Sequence, residues 1–345
     1  MEKKLVNIKI EGRPYQVEAG LTIMEAARIC GYNIPHLCTF ENGLCSRGSC
    51  RVCLVEVTGA RGLIASCVYP VSEGMDIHIS SPKATDARRT SVELLLSNHN
   101  KNCQQCVKNG NCELLLAAQM TGARDDMYQG EQTETTVDEI APGIMRDTSK
   151  CVLCGRCVET CKALQGIGVL GFQKRGFKTI VGPADNRSFS ESPCMQCGQC
   201  ILVCPTGALL EKSEIEKVDE AFKAGKKVFV QTAPAVRATI AEEFGEKIGT
   251  AGTGKMVAAL HRLGFYRVFD TNFAADLTIM EEGTELLNRI KNKGVLPQIT
   301  SCSPGWINYM EYFYSDLIPN VSTCKSPHEM EGAIIKSYYA QKHNL

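Results

Sequence analysis

CVLCGRCVETC at residues 151–161 and CMQCGQCILVCP at 194–205 decide how this chain is read. Each is a run of four cysteines spaced C-x2-C-x2-C-x3-C, the spacing that supplies thiolates to a 4Fe–4S cluster. Two copies make an internal repeat. Where two such runs share a chain, the fourth cysteine of each ligates the other cluster. One cluster is therefore expected on Cys151, Cys154, Cys157 and Cys204, the other on Cys194, Cys197, Cys200 and Cys161. Structural zinc is the alternative, and the repetition of the whole run argues against it.

Two further patterns lie upstream. The first is Cys38-x11-Cys50-x2-Cys53-x13-Cys67, a C-x2-C pair with one cysteine before and one after. It suits a 2Fe–2S site without the plant-type spacing. Cys45 nearly completes that spacing, so Cys38 and Cys45 compete for the first ligand place. The second is His99-x3-Cys103-x2-Cys106-x5-Cys112. Three thiolates and an imidazole suit a zinc tetrahedron equally well. The position between ferredoxin-like units selects 4Fe–4S.

The surrounding sequence gives these sites a scaffold. LVNIKIEG (5–12) alternates like a half-buried strand, Pro14 reads as a turn, and YQVEA (15–19) as the hairpin partner. Thr22 and Glu25 have capping-box spacing before a helix over 24–32. RVCLVEV (51–57) and DIHIS (76–80) are expected strands. The β-β-α-β order suits a β-grasp 2Fe–2S ferredoxin domain. Residues 85–98 read as a helix, and 123–148 as an acidic, turn-rich linker. Cys30 reads as a buried thiol on an apolar helix face.

After Glu211 the cysteines thin out. KKVFVQTA (226–233), YRVFDT (266–271) and LPQITS (296–301) read as strands among helices PAVRATIAEEFG (234–245), GKMVAALHRLG (254–264) and LTIMEEGTELLNRI (277–290). This alternation implies a parallel α/β layer. Lysine plus arginine and aspartate plus glutamate both number 38, so nothing in the charge points to nucleic acid. No run of about 18 apolar residues predicts a membrane span, and no export signal is visible. Tight C-x2-C units among nineteen cysteines point to metal in a reducing, cytoplasmic setting rather than to disulfides.

The order of these sites, followed by APAVRATIAEEFG (233–245), ADLTIMEEGTEL (275–286), TSCSPGW (300–306) and KSP (325–327), resembles the iron-only (FeFe) hydrogenases across nearly the whole chain. The cysteine runs alone also occur in complex I subunits. The resemblance implies reversible reduction of two protons to H2 at an H-cluster, a 4Fe–4S cubane joined to a diiron centre. It implies a proton path through Arg289, Glu285, Ser322, Glu282 and Cys302, and diiron-site contacts at Ala233, Pro234, Ser326 and Pro327. Spacing alone places Glu282, Glu285 and Arg289 on one helix face; without the resemblance they would read as a solvated face.

The sequence departs from the family in two places. Two adjacent cysteines are usual where Cys302 and Ser303 stand, so Cys302 is either the relay or the cubane ligand. The two later motifs that supply the other cubane cysteines are not found before Leu345. The chain is thus expected to be the first part of a longer subunit, or a form that only relays electrons, and to lack catalysis by itself.

The expected fold is α+β and multi-domain. It comprises a β-grasp 2Fe–2S ferredoxin domain (1–82), a His/Cys3 cluster domain (83–122), a linker (123–149), a bacterial-type two-cluster 4Fe–4S ferredoxin domain (150–212) and a partial α/β hydrogenase domain (213–345). The expected cofactors are one 2Fe–2S and three 4Fe–4S clusters, with an H-cluster only where the missing motifs are supplied. No Rossmann or flavin fingerprint is present. Flavin- and NAD(P)-binding iron–sulfur subunits, or ferredoxin, are the expected redox partners, coupling H2 to NAD(P)H, ferredoxin or formate. The competing reading is a non-catalytic electron-transfer subunit, similar to the large iron–sulfur subunit of complex I or of a formate dehydrogenase complex.

Overall fold

Residues 4–40 and 47–345 are described in the computed structural model of the chain, which divides into two units, Met1–Lys212 and Ser213–Leu345. The first unit opens with β1 (Leu5–Ile10), whose Val6, Ile8 and Ile10 are buried between exposed neighbours. That period of two is what a strand with one face on a core requires. Its antiparallel partner β2 (Arg13–Glu18) follows Glu11 and Gly12, both at positive φ, as a two-residue type I′ turn demands. Pro14 is not in that turn. It lies in β2 opposite Lys9, and β2 is an edge strand, where proline's missing N–H is tolerated.

Helix α1 (Ile23–Ile29) starts at a complete capping box. The Glu25 amide donates to Thr22 Oγ1 at 3.2 Å, and the Thr22 amide donates to Glu25 Oε2 at 2.8 Å. Cys30 ends this helix half-buried against the same core, and burial pushes its thiol pKa up. Strands β3 (Leu54–Val57), β4 (Ile64–Ala65) and β5 (Asp76–His78) complete a five-stranded sheet of order β2-β1-β5-β3-β4, with β1 and β5 parallel. Ser81 then caps α2 (Pro82–Ser97), its hydroxyl accepting from the Ala84 amide. α2 packs against α3 (Glu113–Thr121), which Gly122 closes at φ 65°.

Residues 123–149 are more than a linker. β6 (Val137–Asp138) and β7 (Ile144–Asp147) join the later β10 (Leu209–Glu211) in a sheet of order β10-β7-β6. The alternating burial of Ile144 and Arg146 explains β7; the acidic composition around it hides the signal. The Asp138 carboxylate accepts from Ser188 Oγ at 2.7 Å and the Phe189 amide at 2.9 Å, fixing the segment to the stretch just before the second cysteine run. Between β7 and β10 come the one-turn α4 (Arg156–Glu159), the β8 (Gly171–Gln173) and β9 (Ile180–Gly182) hairpin, and the one-turn α5 (Gln199–Leu202).

The second unit holds α6 (Ile215–Lys223), β11 (Phe229–Thr232), α7 (Pro234–Glu243), α8 (Thr253–Leu263), β12 (Arg267–Asp270), α9 (Thr271–Lys291), α10 (Pro304–Phe313) and α11 (Pro327–Ile334). β11 and β12 are parallel and form a sheet of two. The expected strand over 296–301 is reduced to one bridge, Ile299 to Val321. Pro297 lacks a ladder donor, and its carbonyl accepts from Asn320 Nδ2 at 2.7 Å. α9 begins six residues before its expected start of 277, because Asp270 caps it by accepting from the Asn272 amide.

Candidate cluster sites and proton path

The two cysteine runs fold as the same turn twice. Leu153 and Gly155 have φ of 53° and 79°, and Gln196 and Gly198 have 57° and 74°. Each turn then enters a single helical turn, α4 or α5. Gly155 also sits in close quarters. A Cβ there would stand 2.9 Å from the Arg47 side chain and 3.1 Å from Phe172.

One cavity is lined by Cys151, Cys154, Cys157 and Cys204. A second is lined by Cys161, Cys194, Cys197 and Cys200. Each cavity thus takes its fourth sulfur from the other run. Burial raises the Cys151 thiol to about 11 and those of Cys154 and Cys200 to about 12, and also raises Cys157 and Cys194. Of the eight cysteines Cys197 is exposed; the buried sulfurs facing each space are costly as thiolates unless a cation neutralises them, which an iron cluster does.

In the first site Cys38, Cys53 and Cys67 are buried and Cys50 is half-buried. Hydrogen bonds from Cys50 and Cys67 hold the Cys38 thiol well below its ordinary value, and Cys67 brings Cys53 down to about 7. Cys50 and Cys67 are correspondingly raised. The four sulfurs are therefore one connected group. Cys45 lies outside the described residues.

In the remaining site His99, Cys103 and Cys112 line one cavity, with Leu96 and Leu114 among its walls. Cys106 lies against Gly207, where an added Cβ would come within 3.1 Å of its sulfur. His99 is buried, and its Nδ1 has no hydrogen-bond partner among the described residues. Burial, aided by Lys150, lowers its pKa to about 4, so the imidazole is neutral and fit to ligate. Among the described residues no group of three or more His, Cys, Asp or Glu side chains is gathered about a single-ion position.

The second unit brings three of the candidate path residues into one hydrogen-bonded group. Glu285 accepts from Arg289 Nη2 at 2.6 Å and from Ser322 Oγ at 2.8 Å. The Thr323 amide adds a bond of 3.1 Å. Burial would raise the Glu285 carboxyl, but the Ser322 and Arg289 bonds outweigh it and hold it below its usual range. Glu282 shares the half-buried face of α9; its carbonyl, not its carboxylate, is the group bonded to Gln298. Arg289 also donates to the carbonyls of Pro319, Asn320 and Val321, so it clamps that segment to α9.

Cys302 is exposed, and it is not joined to this group by a described hydrogen bond. The neighbouring Ser301 hydroxyl donates to the Cys324 carbonyl, tying the two cysteine-bearing segments together. Ser303 is the N-cap of α10 and accepts from the Trp306 amide. Ala233-Pro234 and Ser326-Pro327 each open a helix, with proline in the first turn. Gln231 Nε2 donates to the His328 carbonyl at 2.7 Å, which joins these two helix starts. Residues 213–345 contain two cysteines, Cys302 and Cys324, so they do not by themselves fit a cubane with four thiolate ligands.

Arg156 was missed from the sequence. It is buried and bonds Glu113 through both oxygens at 2.7 Å. The available signal was the internal repeat, which has Gln199 at the matching position.

The iron only hydrogenase large subunit, C-terminal domain family matches residues 226–345. The NADP-reducing hydrogenase subunit HndD of Solidesulfovibrio fructosivorans is 46% identical over 97% of this chain and 59% of its own length. The chain is similar to iron-only hydrogenases along nearly all of its own length. Iron hydrogenase 1 of Clostridium pasteurianum is 38% identical, over 96% of this chain and 58% of its own. The chain thus spans a little under three-fifths of these hydrogenases. Its first unit carries a 2Fe–2S iron–sulfur cluster binding domain at 3–82, an NADH-ubiquinone oxidoreductase-G iron–sulfur binding region at 88–126 and a 4Fe–4S dicluster domain at 150–208. A solved NAD+-reducing [NiFe]-hydrogenase chain superposes on 61% of this chain and 88% of its own, with a TM-score of 0.56 and 28% identity. No helix among the described residues is long and apolar enough to cross a membrane.

Proposed function

We propose that this chain is the electron-relay region and part of the catalytic domain of an FeFe hydrogenase, which interconverts two protons and two electrons with H2. The observation that carries the relay is the exchange of Cys204 and Cys161 between the two four-sulfur cavities. The clusters, when bound, each supply a one-electron carrier. The proposed set is one 2Fe–2S cluster on Cys38, Cys50, Cys53 and Cys67, and 4Fe–4S clusters on His99/Cys103/Cys106/Cys112 and on the two crossed sets. The proposed domains are a β-grasp ferredoxin (1–82), a His/Cys3 domain (83–122), a two-cluster ferredoxin (150–212) and the first part of the hydrogenase domain (213–345).

In the second unit, Glu285 is the proton-holding group. Its carboxylate faces Ser322, whose hydroxyl can both accept and donate, and Arg289 fixes its orientation. The nearby Cys302 thiol and Glu282 are proposed as the remaining relay positions, and Ala233, Pro234, Ser326 and Pro327 as the backbone framing the diiron centre. Similarity to an NADP-reducing hydrogenase subunit supports partner subunits that handle NADP(H); flavin sites on those partners and a cytoplasmic location are proposed with it. The second reading, a complex I-like electron-transfer subunit without catalysis, is favoured by the match at 88–126. It leaves the match at 226–345 without a purpose.

Dithionite added to the isolated, cluster-loaded chain should bleach its visible absorption, and no H2 should form. In a complete hydrogenase containing this chain, Glu285→Gln should leave that bleaching intact and lower H2 evolution by on the order of 100-fold, the usual weight of a positioned proton donor. Unchanged H2 evolution would contradict the proton path. Absence of H2 evolution from the complete protein would favour the second reading.

A further inference from the structure

Arg156 lies where three of the sulfur-donor groups meet. It stands between Cys154 and Cys157, and its own amide donates to the Cys154 sulfur. Its guanidinium grips Glu113, the residue after Cys112, at 2.7 Å through both arms. The same guanidinium lies 5.6 Å over the ring of Phe40, two residues beyond Cys38. The Glu113 amide donates to the carbonyl of Pro205, the residue after Cys204, at 3.0 Å. Around it Cys38, Leu114, Val152 and Cys154 share one buried apolar cluster.

The arginine side chain is 2% exposed. A buried guanidinium is retained only with a geometrically good partner, and a bidentate carboxylate is the best available. The repeat supplies an internal comparison. The turn at Gly198 matches that at Gly155, yet its next residue is the neutral Gln199, which lines the other cavity. The fold of the cysteine turn therefore does not need an arginine. The charge and its reach to Glu113 and Phe40 are peculiar to the first run.

We propose that Arg156, with Glu113, is the positioning pair of a three-way electron junction. It holds the Cys38 and Cys112 sites against the Cys151/Cys154/Cys157/Cys204 site and sets the reduction potential of the cluster there. This rests on the relay reading above. Reduction adds negative charge to a cluster, so a fixed cation beside it raises the potential and a fixed anion lowers it. The pair has both, and the cation favours the ionised Cys154 sulfur that its own amide bonds.

The test is a redox titration of the holoprotein followed by electron paramagnetic resonance. Arg156→Gln copies the other run and should lower the potential of the Cys151/Cys154/Cys157/Cys204 cluster, and change its magnetic coupling to the His99/Cys103/Cys106/Cys112 cluster. Glu113→Gln leaves the cation without its counter-charge and should raise the same potential. Opposite shifts support the pair, because mere loosening of the fold would move both variants the same way. Where Arg156→Gln fails to load iron, Glu113→Gln decides: a raised potential supports the proposal, and an unmoved or lowered one overturns it. Unmoved potentials in both variants also overturn it. Absence of any cluster signal from the wild-type protein would instead defeat the relay reading.

Discussion

Single residues carry the strongest statements about this protein, and Cys161 is the sharpest of them. It belongs by sequence to the first run and by position to the cavity of the second. Cys161→Ser should therefore damage the cluster on Cys194, Cys197 and Cys200, and leave the one on Cys151, Cys154, Cys157 and Cys204. Magnetic resonance of the reduced variant checks this, and loss of the cluster in its own run would show uncrossed ligation. The sulfur donors were legible because ligand spacing is a local property of sequence. Arg156 was not, because its value comes from Glu113 and Phe40, which sequence separation hides. The roles of Cys302 and Ser303 were open for a similar reason. Cap geometry now shows that the Ser303 hydroxyl bonds the Trp306 amide, an engagement that spacing alone does not reveal.

At the scale of elements, α9 and the segment 319–323 form the clearest coupled pair. The Glu285 carboxylate holds Ser322 and Thr323, while Arg289 holds the three carbonyls before them. The carboxyl's folded pKa lies below its ordinary value of 4.5. Its ionised form is thus bound more tightly in the fold than in the unfolded chain. The stability it contributes is fully present above about 4.5 and is lost as pH falls through the lower, folded value. Wild type should therefore resist denaturant better than Glu285→Gln at neutral pH, and the gap should close in acid. Trp306, the only tryptophan and part of α10, gives the fluorescence readout; a gap unchanged down to strongly acid pH would contradict the assignment. Elements with strong periodicity or a cap, such as β1 and α1, were readable from sequence. β7 was masked by its acidic flanks, and the strand expected at 296–301 is one bridge because Pro297 has no N–H and its carbonyl is taken by the Asn320 side chain.

Over the whole molecule, the first unit is organised around sulfur. Cys157, Cys200 and Cys204 sit in one buried cluster, and Cys38 and Cys154 in another. Small apolar cores of this kind gain much of their stability from the metal they enclose, because ligand binding and folding are the same event. The second unit matches the iron only hydrogenase large subunit, C-terminal domain over 226–345 and has two cysteines. Metal analysis of the anaerobically prepared chain counts the clusters on these donors. One 2Fe–2S and three 4Fe–4S clusters predict about 14 iron atoms per chain without stoichiometric zinc. Iron near about 10 with one zinc per chain would contradict it, by making His99, Cys103, Cys106 and Cys112 a zinc site.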